Sequence, residues 1–87
     1  MSERLDKPAL SRKVAERTGL SLKTATKVVD AVFEEMYEAI KRDESISIRN
    51  FGSFYVRAAQ VSRVFRFNPS QRLRAILGWS TTYQGEI

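Results

Sequence analysis

Between Leu22 and Ile40 the sequence carries more apolar surface than a chain of 87 residues can hide by itself. Leu22, Ala25, Val29, Val32, Phe33, Met36 and Ile40 recur at steps of three and four, the spacing that places side chains on one face of an α-helix. Val28 and Tyr37 widen that face. One more short helix cannot cover so broad a stripe, so the pattern predicts a second subunit. Nothing else in the composition would stabilise the chain as a small monomer. It has no cysteine for a disulfide framework or thiolate metal site, and no histidine.

The elements on either side follow from local chemistry. Asp6-Lys7-Pro8 predicts a helix start, with Asp6 or Lys7 as N-cap and Pro8 in the first turn, where its missing N–H does no harm. Leu10, Val14 and Ala15 continue it, and Gly19 ends it in a left-handed conformation. Ser21 caps the long helix, and Lys41-Arg42 suit the negative end of its dipole. From Ser45 the period drops to two. Ile46 and Ile48 mark a first strand, and Asn50-Phe51-Gly52 a turn in which Asn and Gly both accept positive φ. Phe54, Val56 and Ala58 share one face of a second strand, with Tyr55 and Arg57 opposite. In a third strand Phe65 and Phe67 oppose Val64 and Arg66. Asn68-Pro69 is expected to open a last helix, with Leu73, Ile76 and Leu77 buried and Gly78 as its stop. Residues 79–87 read as a polar tail docked through Trp79 or Tyr83. The order is ααβββα, an α+β chain.

Charge divides the chain in two. Residues 1–44 hold nine basic and nine acidic side chains, which cancel. Residues 45–85 hold six arginines (Arg49, Arg57, Arg63, Arg66, Arg72, Arg74) and no acid. A guanidinium fork matches phosphate oxygens, so this half suggests a polyanionic partner. An enzyme is not expected: without His or Cys, the commonest general base and the strongest nucleophile are missing. Glu34, Glu35 and Glu38 read as the solvated face of the long helix rather than a metal or acid–base cluster. No cofactor, metal or small-molecule substrate is expected. No apolar run approaches the ~20 residues of a membrane span. Residues 1–7 lack the apolar core of a secretory signal, so no membrane partner and a cytoplasmic location are expected.

Four segments resemble the HU/IHF family of bacterial histone-like proteins, in the family's order. Val14-Ala15-Glu16-Arg17-Thr18-Gly19-Leu20-Ser21 is similar to its first helix and turn. Ala25-Thr26-Lys27-Val28-Val29-Asp30-Ala31-Val32-Phe33 is similar to its dimer-forming helix. Arg49-Asn50-Phe51-Gly52-Ser53-Phe54 resembles its aromatic-Gly turn, nearest the integration-host-factor branch, and Phe67-Asn68-Pro69-Ser70-Gln71-Arg72-Leu73 the start of its last helix. The resemblance implies an intertwined dimer with a sheet saddle over duplex DNA. Val29, Val32, Phe33, Met36, Phe51, Phe54 and Phe67 would then be dimer core. The domain would run over 1–87, with 6–42 the helical dimerisation part, 45–68 the sheet, 69–78 the last helix and 79–87 the tail.

One departure stands out. The family's second and third strands extend into a long ribbon that enters the minor groove and carries an intercalating proline. Here only a short hairpin at 58–63 joins the strand cores, and at ~3.3 Å per residue it reaches about 10 Å. The only prolines are Pro8 and Pro69. A second departure is Asn50, where the family usually has Gly.

The expected contacts are with phosphates: Lys7 and amides at the first helix start, Arg49, Asn50 and Ser53 at the turn, and Ser70, Gln71 and Arg72 at the last helix start, since helix N-termini attract anions. Arg57 and Arg66 would form the saddle floor, with Arg63 in the hairpin. Arg74 is the weakest candidate and reads as solvated. The expectation is a nucleoid-associated dimer, like with like or with a relative, that binds duplex DNA without sequence preference and bends it less than full-armed relatives. Two rivals remain. One is an HU-like protein-interaction module that has lost most DNA bending and acts as a heterodimer partner or structural subunit. The other is a helix-turn-helix reader over 14–26, whose second helix is too apolar for a groove.

Overall fold

The computed structural model describes residues 4–58 and 62–85. These form helix α1 (Lys7–Thr18), helix α2 (Leu22–Lys41), strands β1 (Ile46–Ile48), β2 (Gly52–Ala58) and β3 (Arg63–Pro69), and helix α3 (Gln71–Ile76). The α+β class and the ααβββα order hold. Two compact units share the chain, one within residues 1–37 and the other within 38–87.

In the first unit, the Asp6 side chain caps α1 by accepting a hydrogen bond from the Ala9 N–H, which decides between the two candidate caps. Gly19 closes the helix at φ 76°, its N–H donating to the Ala15 carbonyl. The Ser21 hydroxyl accepts from the Thr24 N–H and caps α2. Asp6→Ala is expected to lower unfolding free energy by about 1 kcal/mol, a loss readable in a denaturant titration. Ser11 of α1 and Ala25 and Val29 of α2 are the buried residues of this unit. Val29 is therefore covered within one chain, although the sequence assigns it to a dimer core. Leu22, Val28, Val32, Phe33 and Tyr37 stay exposed.

The second unit is a three-stranded antiparallel sheet in the order β1-β2-β3. α2 ends in a Schellman arrangement: Asp43 adopts φ 59° and the Glu44 N–H reaches back to the Ala39 carbonyl. Register pairs Ile46 and Phe67 with Phe54 from either side, Phe65 with Val56, and Arg63 with Ala58. Alternation then gives the sheet two unlike faces. One carries Phe54, Phe65 and Phe67, whose rings stack at centroid distances of 4.6–5.7 Å, with Phe51 closing over Phe67 at 5.7 Å. The other carries Ser53, Tyr55, Arg57, Val64, Arg66 and Asn68. With Ala58 opposite Arg63, residues 59–62 make the connection. The expected hairpin at 58–63 lies, for residues 59–61, outside the described residues.

The start of the last helix needs correction. Asn68 and Pro69 do not cap it: both belong to β3, with Pro69 opposite Gly52. Ser70 is the N-cap, its hydroxyl accepting from the Leu73 N–H, so α3 runs 71–76 rather than 69–78. The misreading arises because Asn-Pro is as good a cap signal as Pro-Ser, and only strand pairing chooses between them. Gly78 is the stop expected, at φ 77°, with the Trp79 N–H bonded to the Arg74 carbonyl. Ile76 and Leu77 are exposed, not buried, and Trp79 is 68% exposed rather than docked on its own chain.

Candidate functional site

The predicted contact residues fall into four places. Arg49 and Asn50 sit in a turn closed by the Phe51 N–H donating to the Ile48 carbonyl at 3.0 Å. Asn50 takes φ 64° there, as its tolerance of left-handed backbone predicts. The Ser70 N–H then bonds the Phe51 carbonyl at 2.9 Å, which draws the turn against the start of α3. Arg49, Asn50, Ser53, Ser70, Gln71 and Arg72 are thereby gathered at one end of the sheet. The Ser70 hydroxyl is already engaged as the cap, and Arg72 is part-buried. Arg74 is not merely solvated: its Nε donates to the Pro69 carbonyl at 3.1 Å and its guanidinium to Asn68 Oδ1 at 3.0 Å, bracing the strand-to-helix corner.

The second place is the polar sheet face. Tyr55 lies directly across from Arg66, and Arg57 across from Val64, so the two arginines are diagonal neighbours. A surface depression of ≈260 Å³ is lined by Arg57, Ala58, Val64 and Arg66. Among the described residues no acid forms an ion pair with Arg49, Arg57 or Arg66. Their charge is uncompensated and faces water.

Arg63 is elsewhere. Its register with Ala58 puts it on the aromatic side, where its guanidinium pairs with the Asp43 carboxylate and approaches the Ile40 carbonyl. It ties the loop after α2 to the start of β3. Lys7, in the first unit, forms an ion pair of 2.7 Å with Asp30. The hydrogen bond to Asp30, aided by the carboxylate's charge, holds its ammonium pKa above the ordinary lysine value. Lys7 is thus in a separate unit from the other candidates.

Asp43 is the contributor that sequence reading passes over. Alternation places Tyr55 on the polar strand face, across from Arg66. Asp43 gave no signal, because its role depends on a partner 20 residues away. Among the described residues no helix is long and apolar enough to cross a membrane.

The family model described as bacterial DNA-binding protein matches residues 5–66. DNA-binding protein HU of Geobacillus stearothermophilus is 45% identical over 53 residues, which are 61% of this chain and 59% of that protein. The match therefore spans less than two thirds of the HU sequence. Integration host factor subunit alpha of Anaeromyxobacter sp. is 31% identical over 99 residues, with 95% of this chain and 100% of the relative covered. Among solved structures, a variant of HU from Thermotoga maritima superposes with a TM-score of 0.75 at 32% identity, covering 83% of this chain and 97% of that one.

Proposed function

This chain belongs to the HU/IHF family of bacterial DNA-binding proteins, and on that premise we propose that it is an architectural protein that grips duplex DNA by its phosphates, as a dimer, without reading sequence. The observation that carries this reading is the uncompensated pair Arg57 and Arg66 on a sheet face with no acid anywhere in residues 45–85. Arg49 and the amides near Ser70 and Gln71 extend the same charge toward one end of the sheet. Two copies bring twice the single-chain charge of +5. Arg57 and Arg66 stand on strands of a sheet face rather than on a helix that enters a groove, so phosphate contact supplies the affinity. Its place of action is the cytoplasm, on the nucleoid.

Bending is proposed to be shallow. A sharp kink needs an apolar wedge between base pairs. Pro8 lies in the first turn of α1 and Pro69 at the end of β3, and residues 59–62 are too few to follow a groove. Alignment length supports the same view. Ninety-nine aligned positions that use 95% of an 87-residue chain leave about 16 positions of the integration host factor relative with no counterpart.

Retardation of a short random-sequence duplex, measured at several salt concentrations, tests the reading. With about three phosphates contacted per subunit, log affinity should fall against log salt with a slope of about −5, following ~0.9 per phosphate. Ring closure of short DNA should rise far less than with a full-armed relative. A slope near zero, or ring closure equal to that relative's, rejects the proposal. Failure to bind duplex at low salt would favour the protein-interaction module instead.

A further inference from the structure

Helix α2 ends in a residue that its backbone alone does not favour. Asp43 takes φ 59°, a conformation that glycine adopts at no steric cost, and α1 and α3 do stop at glycines, Gly19 and Gly78. What the aspartate supplies is a carboxylate. It pairs with the Arg63 guanidinium, which also donates to the Ile40 carbonyl at 3.4 Å in the last turn of α2. The next acid along the chain does not substitute for it, because Glu44 is held by Arg42 at 2.8 Å. Arg63 opens β3, and its pairing with Ala58 is the last rung of the β2–β3 ladder. The rung before it joins Arg57 to Val64. The tie therefore sits at the root of the hairpin, one rung from the basic depression. Ion pairs as exposed as this one, 55% at Arg63 and 68% at Asp43, add little to global stability. Its position is the informative feature, because ladder ends open first and this one is fastened to a helix.

From this arrangement we propose that Asp43 is a positioning residue for DNA binding. Acting through Arg63, it fastens the hairpin root to the end of α2 and keeps the Arg57–Val64 rung closed. Arg57 and Arg66 then meet the duplex as an ordered pair. Arg63 itself is a structural cation and not a phosphate contact. This inference rests on the DNA-binding reading above and reassigns one of the six arginines within it. Its consequence has an unusual sign. Asp43 is an acid in a chain of net charge +5, so by charge alone its removal should strengthen binding to a polyanion. Loss of order works the other way, because the duplex must then immobilise long side chains on an open strand end.

The test compares Asp43→Gly, Arg63→Ala and the double variant with the parent, all as full chains whose folding is checked by circular dichroism and subunit mass. In the free protein, amide exchange over residues 56–58 and 63–65 should quicken about fivefold in each single variant, the range an exposed ion pair spans. Exchange at Ser53 and Asn68, at the far end of the ladder, should keep the parent's rate. The melting temperature of Asp43→Gly should hold, since relief of the left-handed backbone offsets the lost pair. Its affinity for a random-sequence duplex, read by fluorescence anisotropy, should nevertheless fall by about three- to fivefold, within the same range. Arg63→Ala should show the same fall with an unchanged salt slope, and the double variant no further loss. Tighter binding by Asp43→Gly, additive losses in the double variant or unchanged exchange at the hairpin root overturns the inference and leaves the duplex reading intact. So does a salt slope shallower by ~0.9 per subunit in Arg63→Ala, which would make Arg63 a phosphate contact. Failure of the parent itself to bind duplex at low salt overturns the duplex reading, and this inference with it.

Discussion

Phe33→Glu is expected to abolish the folded protein at micromolar concentration. The described residues of one chain bury only two apolar side chains, Ala25 and Val29, while α2 leaves Val32 and Phe33 at 53% and 40% exposure. Such a chain has too little covered apolar surface to offset its conformational entropy alone. If a second copy supplies the missing cover, as proposed, Phe33 lies within that shared interior. A carboxylate there loses its water without gaining a cation, which costs several kcal/mol for each subunit and is therefore counted twice in the dimer. Domains of this size are stable by about 5–15 kcal/mol, so the loss is comparable with the total. Sedimentation and circular dichroism should both show an unfolded or monomeric chain. A folded dimer with an unchanged melting temperature would remove the basis for pairing through α2.

Gly52→Ala should be nearly as harmful, for a local reason. Gly52 is buried at the first position of β2, between Ile48 and Pro69. A Cβ built there would lie 2.6 Å from the Asn68 carbonyl oxygen and 2.6–2.7 Å from two atoms of the Phe67 ring. In a loose core the ring would turn aside, but here it is stacked on Phe54 and Phe51, and the carbonyl belongs to a paired strand. Relief requires moving β3 away from β2. Overpacking of this kind costs about 3 kcal/mol, which lowers the melting midpoint of a domain this size by roughly 10–20 °C. Asn50→Gly, two residues earlier, provides the contrast. It relieves a left-handed residue without adding atoms, so it should leave stability unchanged or raise it by up to about 1 kcal/mol. Thermal scans of the two variants at one protein concentration read both effects. Equal melting points for Gly52→Ala and the parent would mean that the close approach imposes no restriction.

Element type and order were legible because each rests on short-range chemistry. The Asp6 and Ser21 caps, the Gly19 and Gly78 stops and the Asn50 turn depend on φ preferences and on hydrogen bonds spanning four residues or fewer. The face of each strand residue follows from alternation, so Arg57 and Arg66 could be placed together before any pairing was known. The boundary at Asn68-Pro69-Ser70 was not legible. Two overlapping cap signals compete there, and the winner is set by Pro69 lying opposite Gly52. The role of Arg74 is hidden for a similar reason, since its acceptors appear only once strand and helix form a corner.

Periodicity and charge, which are properties of neighbouring residues, were enough to establish two helices, a two-faced sheet and an acid-free basic half. Which arginines keep their charge available was decided only by tertiary structure. The register that sets Ala58 against Arg63 turns that side chain away from Arg57 and Arg66 and into the reach of Asp43, while leaving Tyr55 beside the two that remain exposed. Such a choice depends on pairing between strands, and strand pairing is a long-range geometry that no local pattern encodes.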